Sequence, residues 1–521
     1  MHEIEPLLLA LIVAVAGLSV LARMVGVPYP ILLVLGGLVL EFVPGMPAVE
    51  LPPELVLVAF LPPLLYWAGF FSSPRDLRAD ARAIGGAAVG LVLVTTAAVA
   101  VAAHAMVDGL DWAAAFALGA IVSPTDPLAA TAICRRLGVP RRLITLLEGE
   151  SLVNDATALV AYRVAVMAAV SGSFVAWQAG LRFVVGASGG VAIGLAVGWL
   201  VAEVRRRLDD PVVEIVVSVA TGYAAYLPAE QFGVSGVLAA VTAGLYVGWR
   251  APELASASTR LLGFSFWEVL VYLANAVLFI LVGLQLRPIL SSLAGTPVAV
   301  LAGQAVVVSA VVVAARMAWE FTIPYLVRVL DRRPGQIMRR VGASERLVLG
   351  WSGMRGAVSL AAALALPQDF PMRDLILFLT FAVILATLVV QGLTLPALIR
   401  RLRLPGDGAE ETEELRARLA AAQAALERLD QLSGADWTRD DTVERLQGLF
   451  EFRRRRLKAR AGKIEDDGTE DRSLAYQRLV RELLEAQRHA IVRLRNQGVI
   501  SSDVMHRIEH ELDLEDTRLE I

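Results

Sequence analysis

The sequence predicts an all-α polytopic membrane protein of about 13 transmembrane helices, followed by a small helical cytoplasmic tail. Three observations predict it: the composition, the spacing of the apolar runs, and a change of composition near Pro405. Of the 521 residues, 56% are hydrophobic and only 19% are charged, and the mean hydropathy is +0.61. A soluble chain of this length needs more charge to cover its surface, so lipid is the solvent for much of it. The formal net charge of −3 gives no sign of a nucleic-acid partner. One cysteine, Cys134, excludes an internal disulfide.

The opening Met1-His2-Glu3-Ile4-Glu5-Pro6 is acidic and lacks a basic n-region. The first apolar run is therefore expected to remain as a span rather than be cleaved. A helix crossing about 30 Å of hydrocarbon needs roughly 20 apolar residues. That ruler places spans centred near Val15, Leu35, Leu61, Val94, Leu118, Val160, Ile193, Val219, Ala240, Leu278, Val311, Val358 and Ile384.

The loops alternate in charge. Arg75, Arg78 and Arg82 follow the third span, and Arg135, Arg136, Arg141 and Arg142 follow the fifth. Arg205, Arg206 and Arg207 follow the seventh, and Arg328, Arg332, Arg333, Arg339 and Arg340 the eleventh. The intervening loops are acidic or neutral, as between Glu41 and Glu54, Asp108 and Asp111, and Ala229 and Gln231. Because Lys and Arg favour the inner side, this predicts an outer N-terminus and a cytoplasmic C-terminus.

Residues 1–404 are thus expected to form the transmembrane domain and 405–521 a helical cytoplasmic domain. About half of the chain's carboxylates lie in the latter. Leu415, Leu419, Ala422, Leu426 and Leu429 have heptad spacing. Leu479, Leu483, Ala490 and Leu494 mark a second amphipathic helix ending near Gly498. The run Arg453 to Arg456 reads as a solvated helix face, with anionic lipid as its alternative contact.

Ionisable groups inside a span are costly and mark ion paths, partners or cavities. The fifth span is interrupted by Ser123-Pro124-Thr125-Asp126-Pro127. Two prolines three residues apart remove two backbone donors, so the helix should unwind there and leave two half-helix ends facing each other. A plain proline kink, with Asp126 serving the following half-helix, is the competing account. On the sixth span Glu150, Asn154 and Thr157 share one helical face, and Ser151 and Asp155 share the next. Packing polars that bond neighbouring helices would be the bland explanation, but the acids outnumber what packing requires.

The twelfth span holds Gly350, Gly353 and Gly356 around a buried Arg355. That guanidinium needs a carboxylate, for which Glu150 is the natural candidate, with Arg316 as a second possible partner for Glu150. If spans one to six repeat as spans eight to thirteen, the two interrupted helices occupy matching places in an inverted repeat. Lone features rank lower. His104 reads as interfacial, Asn275 and Glu268 as helix-contact residues with the ion path as their alternative place, and the glycines between Gly186 and Gly198 as close helix packing.

At Glu150-Ser151-Leu152-Val153-Asn154-Asp155, Thr125-Asp126-Pro127 and Arg355-Gly356-Ala357-Val358-Ser359 the chain resembles the monovalent cation:proton antiporter family, in its bacterial NhaP-type and sodium/proton exchanger branch. The resemblance covers about the first 400 residues. It implies a homodimer whose protomers each pair a dimerisation bundle with a mobile core carrying two crossed, interrupted helices. It also implies Asp155 as the cation and proton carrier, with oxygen ligands from Ser151 and the Thr125 and Asp126 region. Asn154 would support the crossing, and Glu150 would pair with Arg355. Family members often carry an acid after a Pro-Pro-Leu-Leu-like run; here Trp67 follows Pro62-Pro63-Leu64-Leu65-Tyr66.

The activity implied is secondary exchange of sodium for protons across the plasma membrane, with lithium and potassium as further candidate ions. With Glu150 held by an arginine, one free carboxylate predicts electroneutral one-for-one exchange. No resident cofactor or enzymatic step is expected. Potassium/proton exchange and a transport-dead sensor acting through the tail are the alternatives. An intramembrane aspartyl protease using Asp126 and Asp155 lacks its Gly-x-Gly-Asp pattern. A primary pump lacks its phosphate-cradling loop.

Overall fold

A computed structural model describes residues 4–41, 55–171, 176–293, 295–330, 340–404, 408–462 and 468–519. Residues 42–54, which hold most of the acidic loop, lie outside the described residues, as do Arg332, Arg333, Arg339 and Pro405. Regular structure among the described residues is entirely helical, and each expected span centre falls within a helix or half-helix. The chain divides into two compact units, Met1–Pro405 and Gly406–Ile521.

The first unit begins with α1 (Ile4–Val25), α2 (Tyr29–Leu40), α3 (Leu61–Phe71), the short α4 (Pro74–Ala79) and α5 (Ala81–Met106). Two half-length helices, α6 (Trp112–Val122) and α7 (Leu128–Arg136), precede α8 (Arg141–Ser171). Then come α9 (Ala176–Arg205), α10 (Pro211–Gln231), α11 (Gly236–Leu254), α12 (Ala257–Gly283), α13 (Leu286–Ser292) and α14 (Val298–Leu330). A second half-length pair, α15 (Ala343–Trp351) and α16 (Ala357–Leu364), precedes α17 (Arg373–Leu402).

Seven described helices are long and apolar enough to cross a membrane alone, and four shorter apolar helices accompany them. The expected count of thirteen is not reproduced by length and composition, and the interrupted helices are among the elements that fall short. At 1.5 Å per residue, the 11 residues of α6 span only about half of a bilayer's hydrocarbon.

The helices form two bundles. One joins α1, α2, α3 and α9 to α12; the other joins α5 to α8 with α13 to α17. Glycine sets the spacing in the first. A Cβ on Gly37 would lie 2.4 Å from the Ile280 carbonyl oxygen, and one on Gly283 would lie 2.3 Å from that of Val34. Helices α2 and α12 therefore touch backbone to backbone, as small residues allow in membranes. A Cβ on Gly190 or Gly194 of α9 would likewise lie 2.4 Å from the Ser235 or Ala239 carbonyl oxygen, which fits the packing role expected of that glycine stretch.

One expected loop cation is a buried group instead. Arg205, at 4% exposure, donates to Glu214 at 3.0 and 3.2 Å, and the other Glu214 oxygen accepts from Thr259 at 2.9 Å. This network ties α9, α10 and α12 together at one end. Arg206 and Arg207 pair with Glu203 on the surface, as loop arginines do.

The second unit holds α18 (Ala409–Leu432), α19 (Asp440–Arg460), α20 (Thr469–Asn496) and α21 (Ser502–Leu519). In α18 the heptad stripe is the less exposed face, with Ala422 buried and Leu415, Leu419, Leu426 and Leu429 half-buried. In α20 the expected stripe is the wrong face. Leu479 and Leu483 are 60% and 55% exposed, whereas Leu484 and Ile491 are buried with Met505 and Leu512 of α21. Gly498, at φ +71°, closes the helix in the left-handed conformation that glycine adopts freely.

The α2–α12 contact makes a direct prediction. Gly283→Ala should lower stability by about 1–3 kcal/mol, because the opposing atoms are backbone and cannot repack. Thermal unfolding in detergent checks it, with Gly263→Ala, whose added methyl meets nothing closer than 3.9 Å, as the neutral control.

Candidate functional site

The site lies where the two interrupted helices cross. Helix α6 starts on Asp111, whose Oδ1 accepts from the Ala114 amide at 2.8 Å, and stops at Val122. Residues 123–127 are not helical. The sequence dictates this break, because the helical donors for the Ala120 and Ser123 carbonyls would be the nitrogens of Pro124 and Pro127, which carry no hydrogen. The Ala120 carbonyl accepts instead from Ser123 Oγ at 3.0 Å, and the Ser123 carbonyl from Arg355 Nη2 at 3.5 Å.

Arg355 belongs to the other break, at residues 352–356 between α15 and α16. Its Nε donates to the Val122 carbonyl at 3.0 Å, and Nη1 donates to the Gly353 carbonyl. The crossing is closed by the Asp126 amide, which donates to the Met354 carbonyl at 2.8 Å. Two glycines permit the approach. A Cβ on Gly356 would lie 2.2 Å from Asp126 Oδ2, and one on Gly353 would lie 2.3 Å from Arg316 Cδ.

Helix α8 brings the polar face of Glu150, Ser151, Asn154 and Asp155 against this crossing, all of them at 9% exposure or less. Ser151 Oγ donates to the Thr125 carbonyl at 2.9 Å, and Asn154 Nδ2 donates to Thr125 Oγ1 at 2.8 Å. Thr125 Oγ1 in turn donates to Glu150 Oε1 at 3.2 Å. The pairing of Glu150 with Arg355 is corrected here: Glu150 takes a bidentate bond from Arg316, at 2.5 Å from Nη1 and 3.0 Å from Nη2. The physical reason is that Arg355 is already committed to the carbonyls of Val122, Ser123 and Gly353 in the two breaks.

The three carboxylates therefore differ in their commitments. Glu150 is held by Arg316 and Thr125. Asp126 Oδ1 accepts from the Leu128 amide at 3.0 Å and so caps α7, as its proline-kink account anticipates. Asp155 is 9% exposed, and among the described residues no hydrogen bond or ion pair reaches its carboxylate. Beside it, Asn154 Oδ1 is a buried acceptor without a protein partner.

A long polytopic helical chain with two crossed breaks and one uncommitted buried acid is the setting in which sequence comparison decides the family. The profile described as "Sodium/hydrogen exchanger, transmembrane" matches residues 8–401. The chain belongs to the sodium/hydrogen exchanger family. An uncharacterised Na(+)/H(+) exchanger of Mycobacterium tuberculosis is 37% identical over 98% of this chain and 95% of its own length. The low-affinity Na(+)/H(+) antiporter NhaS1 of Synechocystis is 34% identical over 81% of this chain and 78% of its own. In fold, the exchanger is similar to the sodium proton antiporter MjNhaP1 of Methanocaldococcus jannaschii, with a TM-score of 0.59 at 20% identity. That likeness covers 77% of this chain and 99% of the other.

Other expected residues fall outside the exchanger's crossing network. Asn275, buried on α12, donates to the Val271 carbonyl of its own helix at 2.8 Å, one turn back. His104 Nδ1 lies 2.7 Å from the Leu110 carbonyl and its ring stacks on Trp112. Trp67 stacks on Trp267, ring centres 5.3 Å apart, within a group that includes Phe70 and Phe71. Sequence reasoning missed Glu320 and Arg346, a buried pair at 3.4 Å. The available signal was Arg316 and Glu320 standing one helical turn apart inside an apolar run.

The new pairing is testable by a double-mutant cycle. Arg316→Gln should cost about 3–5 kcal/mol by leaving Glu150 uncompensated, and adding Glu150→Gln should recover part of it. Thermal unfolding reads the coupling, which should exceed that between Glu150 and Arg355.

Proposed function

We propose that this exchanger is a secondary antiporter of sodium and protons in the plasma membrane, with Asp155 as the shared carrier. The observation that carries the reading is the division of the carboxylates: Glu150 and Asp126 are committed, and Asp155 is not. A buried acid that the protein leaves without a partner is ready for a mobile one, either a proton or a cation. Ser151 Oγ, the Asn154 Oδ1 acceptor and the oxygens of Thr125 and Asp126 supply hard ligands beside it. Family membership and the antiporter names of its relatives support the same substrate pair.

One carboxylate binds one sodium or one proton, so each cycle returns a single charge for a single charge. Exchange is electroneutral. Protons compete with sodium at Asp155, and so the apparent KM for sodium falls as pH rises while the maximal rate holds. The broken-helix bundle shifts against the other bundle to expose Asp155 to each side in turn. The functional unit is a homodimer, with the N-terminus outside and residues 405–521 forming a cytoplasmic domain. Potassium remains the second ion to test, because Trp67 with its aromatic neighbours stands where relatives often carry an acid.

Purified protein in liposomes, with internal pH followed as sodium, lithium or potassium is added outside, tests the proposal. Sodium should move internal pH in wild type, and Asp155→Asn should abolish the response while remaining folded. Clamping the membrane potential at fixed ion gradients should leave the rate unchanged. Exchange surviving in Asp155→Asn would refute the carrier, and a response to potassium alone would change the substrate.

A further inference from the structure

Beyond the crossing, α14 and α15 hold a second buried ion pair that the exchange scheme does not use. Glu320 and Arg346 are 6% and 7% exposed, and Arg346 Nη1 stands 3.4 Å from both Glu320 Oε2 and the Glu320 carbonyl. Glu320 lies one turn beyond Arg316 on the same face of α14. The two helices are pressed together at this point. A Cβ on Gly350 would fall 2.5 Å from Met317 Sδ and 3.7 Å from Glu320 Cγ, and Arg316 Nε donates to the Leu349 carbonyl at 3.1 Å.

With Glu320 one turn from Arg316, the two ion pairs form one line of alternating charge: Arg346, Glu320, Arg316 and Glu150. Its inner end is Thr125, whose hydroxyl donates to Glu150. Its outer end is Tyr325, whose ring lies 5.6 Å from the Arg346 guanidinium and 4.5 Å from that of Arg328. Arg355 stands beside Arg316 across Gly353. The fixed groups facing Glu320 and its partners are thus Glu150 from α8, Arg316, Tyr325 and Arg328 from α14, Arg346 and Glu345 from α15, and Arg355. Without Glu320, Glu150 would be the one buried carboxylate left in the line with Arg316 and Arg346, and Arg355 stands beside them.

We propose that Glu320 is a positioning residue for cation uptake: paired with Arg346 and stacked beyond Arg316, it balances the arginine charge felt at the Thr125 and Asp155 site. The proposal rests on the reading of that site as the cation site. Arg316 bonds Glu150 directly and has Glu320 one helical turn away, so its field at the site is partly cancelled from both sides. Removing the Glu320 charge leaves an excess of positive charge that repels a cation. Removing the Arg346 charge leaves the opposite excess. A pair that served only to hold α15 on α14 would act on stability and rate, and would carry no sign.

The experiment measures the KM for sodium and the maximal rate in liposomes at alkaline pH, where proton competition is least. Glu320→Gln should raise KM by about fivefold and Arg346→Gln should lower it by a similar factor, as expected for one charge at a partly screened distance. The double variant should return to within about twofold of wild type, since both charges leave together. Glu320→Asp and Glu320→Asn, matched in length, guard against a folding defect: the aspartate must keep the lower KM. Shifts of one sign in both single variants, or a fall in rate with KM unchanged, would overturn the proposal. Equal KM for the aspartate and asparagine variants would do the same. Exchange that survives Asp155→Asn, measured alongside, counts against the carrier and leaves the Glu320 comparison readable.

Discussion

The site depends on how the backbone of the first break is satisfied. Lipid offers no hydrogen bonds, and a buried carbonyl without a donor costs on the order of 1–3 kcal/mol. Pro124 and Pro127 create such carbonyls, and Arg355 from the opposite break reaches the carbonyls of Val122 and Ser123. The negative end of α6 and these carbonyl dipoles offset the desolvation of its charge. The amide of Asp126 returns the favour to the Met354 carbonyl. Each broken helix is therefore completed by bonds from the other.

That commitment passes down to the carboxylates. Because Arg355 is spent on backbone, Glu150 needs a different cation, and Arg316 reaches it from α14 with a fork geometry that a lysine could not supply. Asp126 is spent on the start of α7. What remains is Asp155, adjacent in sequence to Asn154 but outside every bond of the network. The polar groups of the crossing thus hold one another, and Asp155 is left without a bond among the described residues.

Much of this was legible in the sequence because its signals are local. Proline spacing located the first break, three glycines around an arginine located the second, and the 3.6-residue period put Glu150 and Asn154 on one face. The partner of Glu150 was not legible, since Arg316 and Arg355 are both arginines in apolar runs and only the crossing decides between them. The tail shows the same limit. Leu479 and Leu483 have helical spacing, but so do Val480, Leu484 and Ile491, and the packed face is chosen by α21. Arg205 read as a loop cation because its partner, Glu214, sits across a turn that periodicity does not see.

The distribution of directional bonds also bears on how the molecule moves. Within the bundle of broken helices the buried pairs Glu150–Arg316 and Glu320–Arg346 lock α8, α14 and α15 together. Within the other, Arg205, Glu214 and Thr259 lock α9, α10 and α12. Between the bundles, next to Asp155, the contact is apolar: Leu152 and Ala156 of α8 lie against Leu61, Leu65, Tyr226, Val237 and Val241. Three of the polar links between the bundles, Arg163 to Glu230, Arg182 to Met167 and Arg136 to the Gly26 carbonyl, are partly exposed, so water can replace them; a fourth, the Arg287 amide to Glu41, lies where the chain passes from α12 to α13. Apolar contact is non-directional and can be exchanged along a surface at little cost, whereas a buried ion pair cannot be stretched. A displacement that preserves both sets of pairs must therefore run along the Leu152–Ala156 surface, and that surface flanks Asp155.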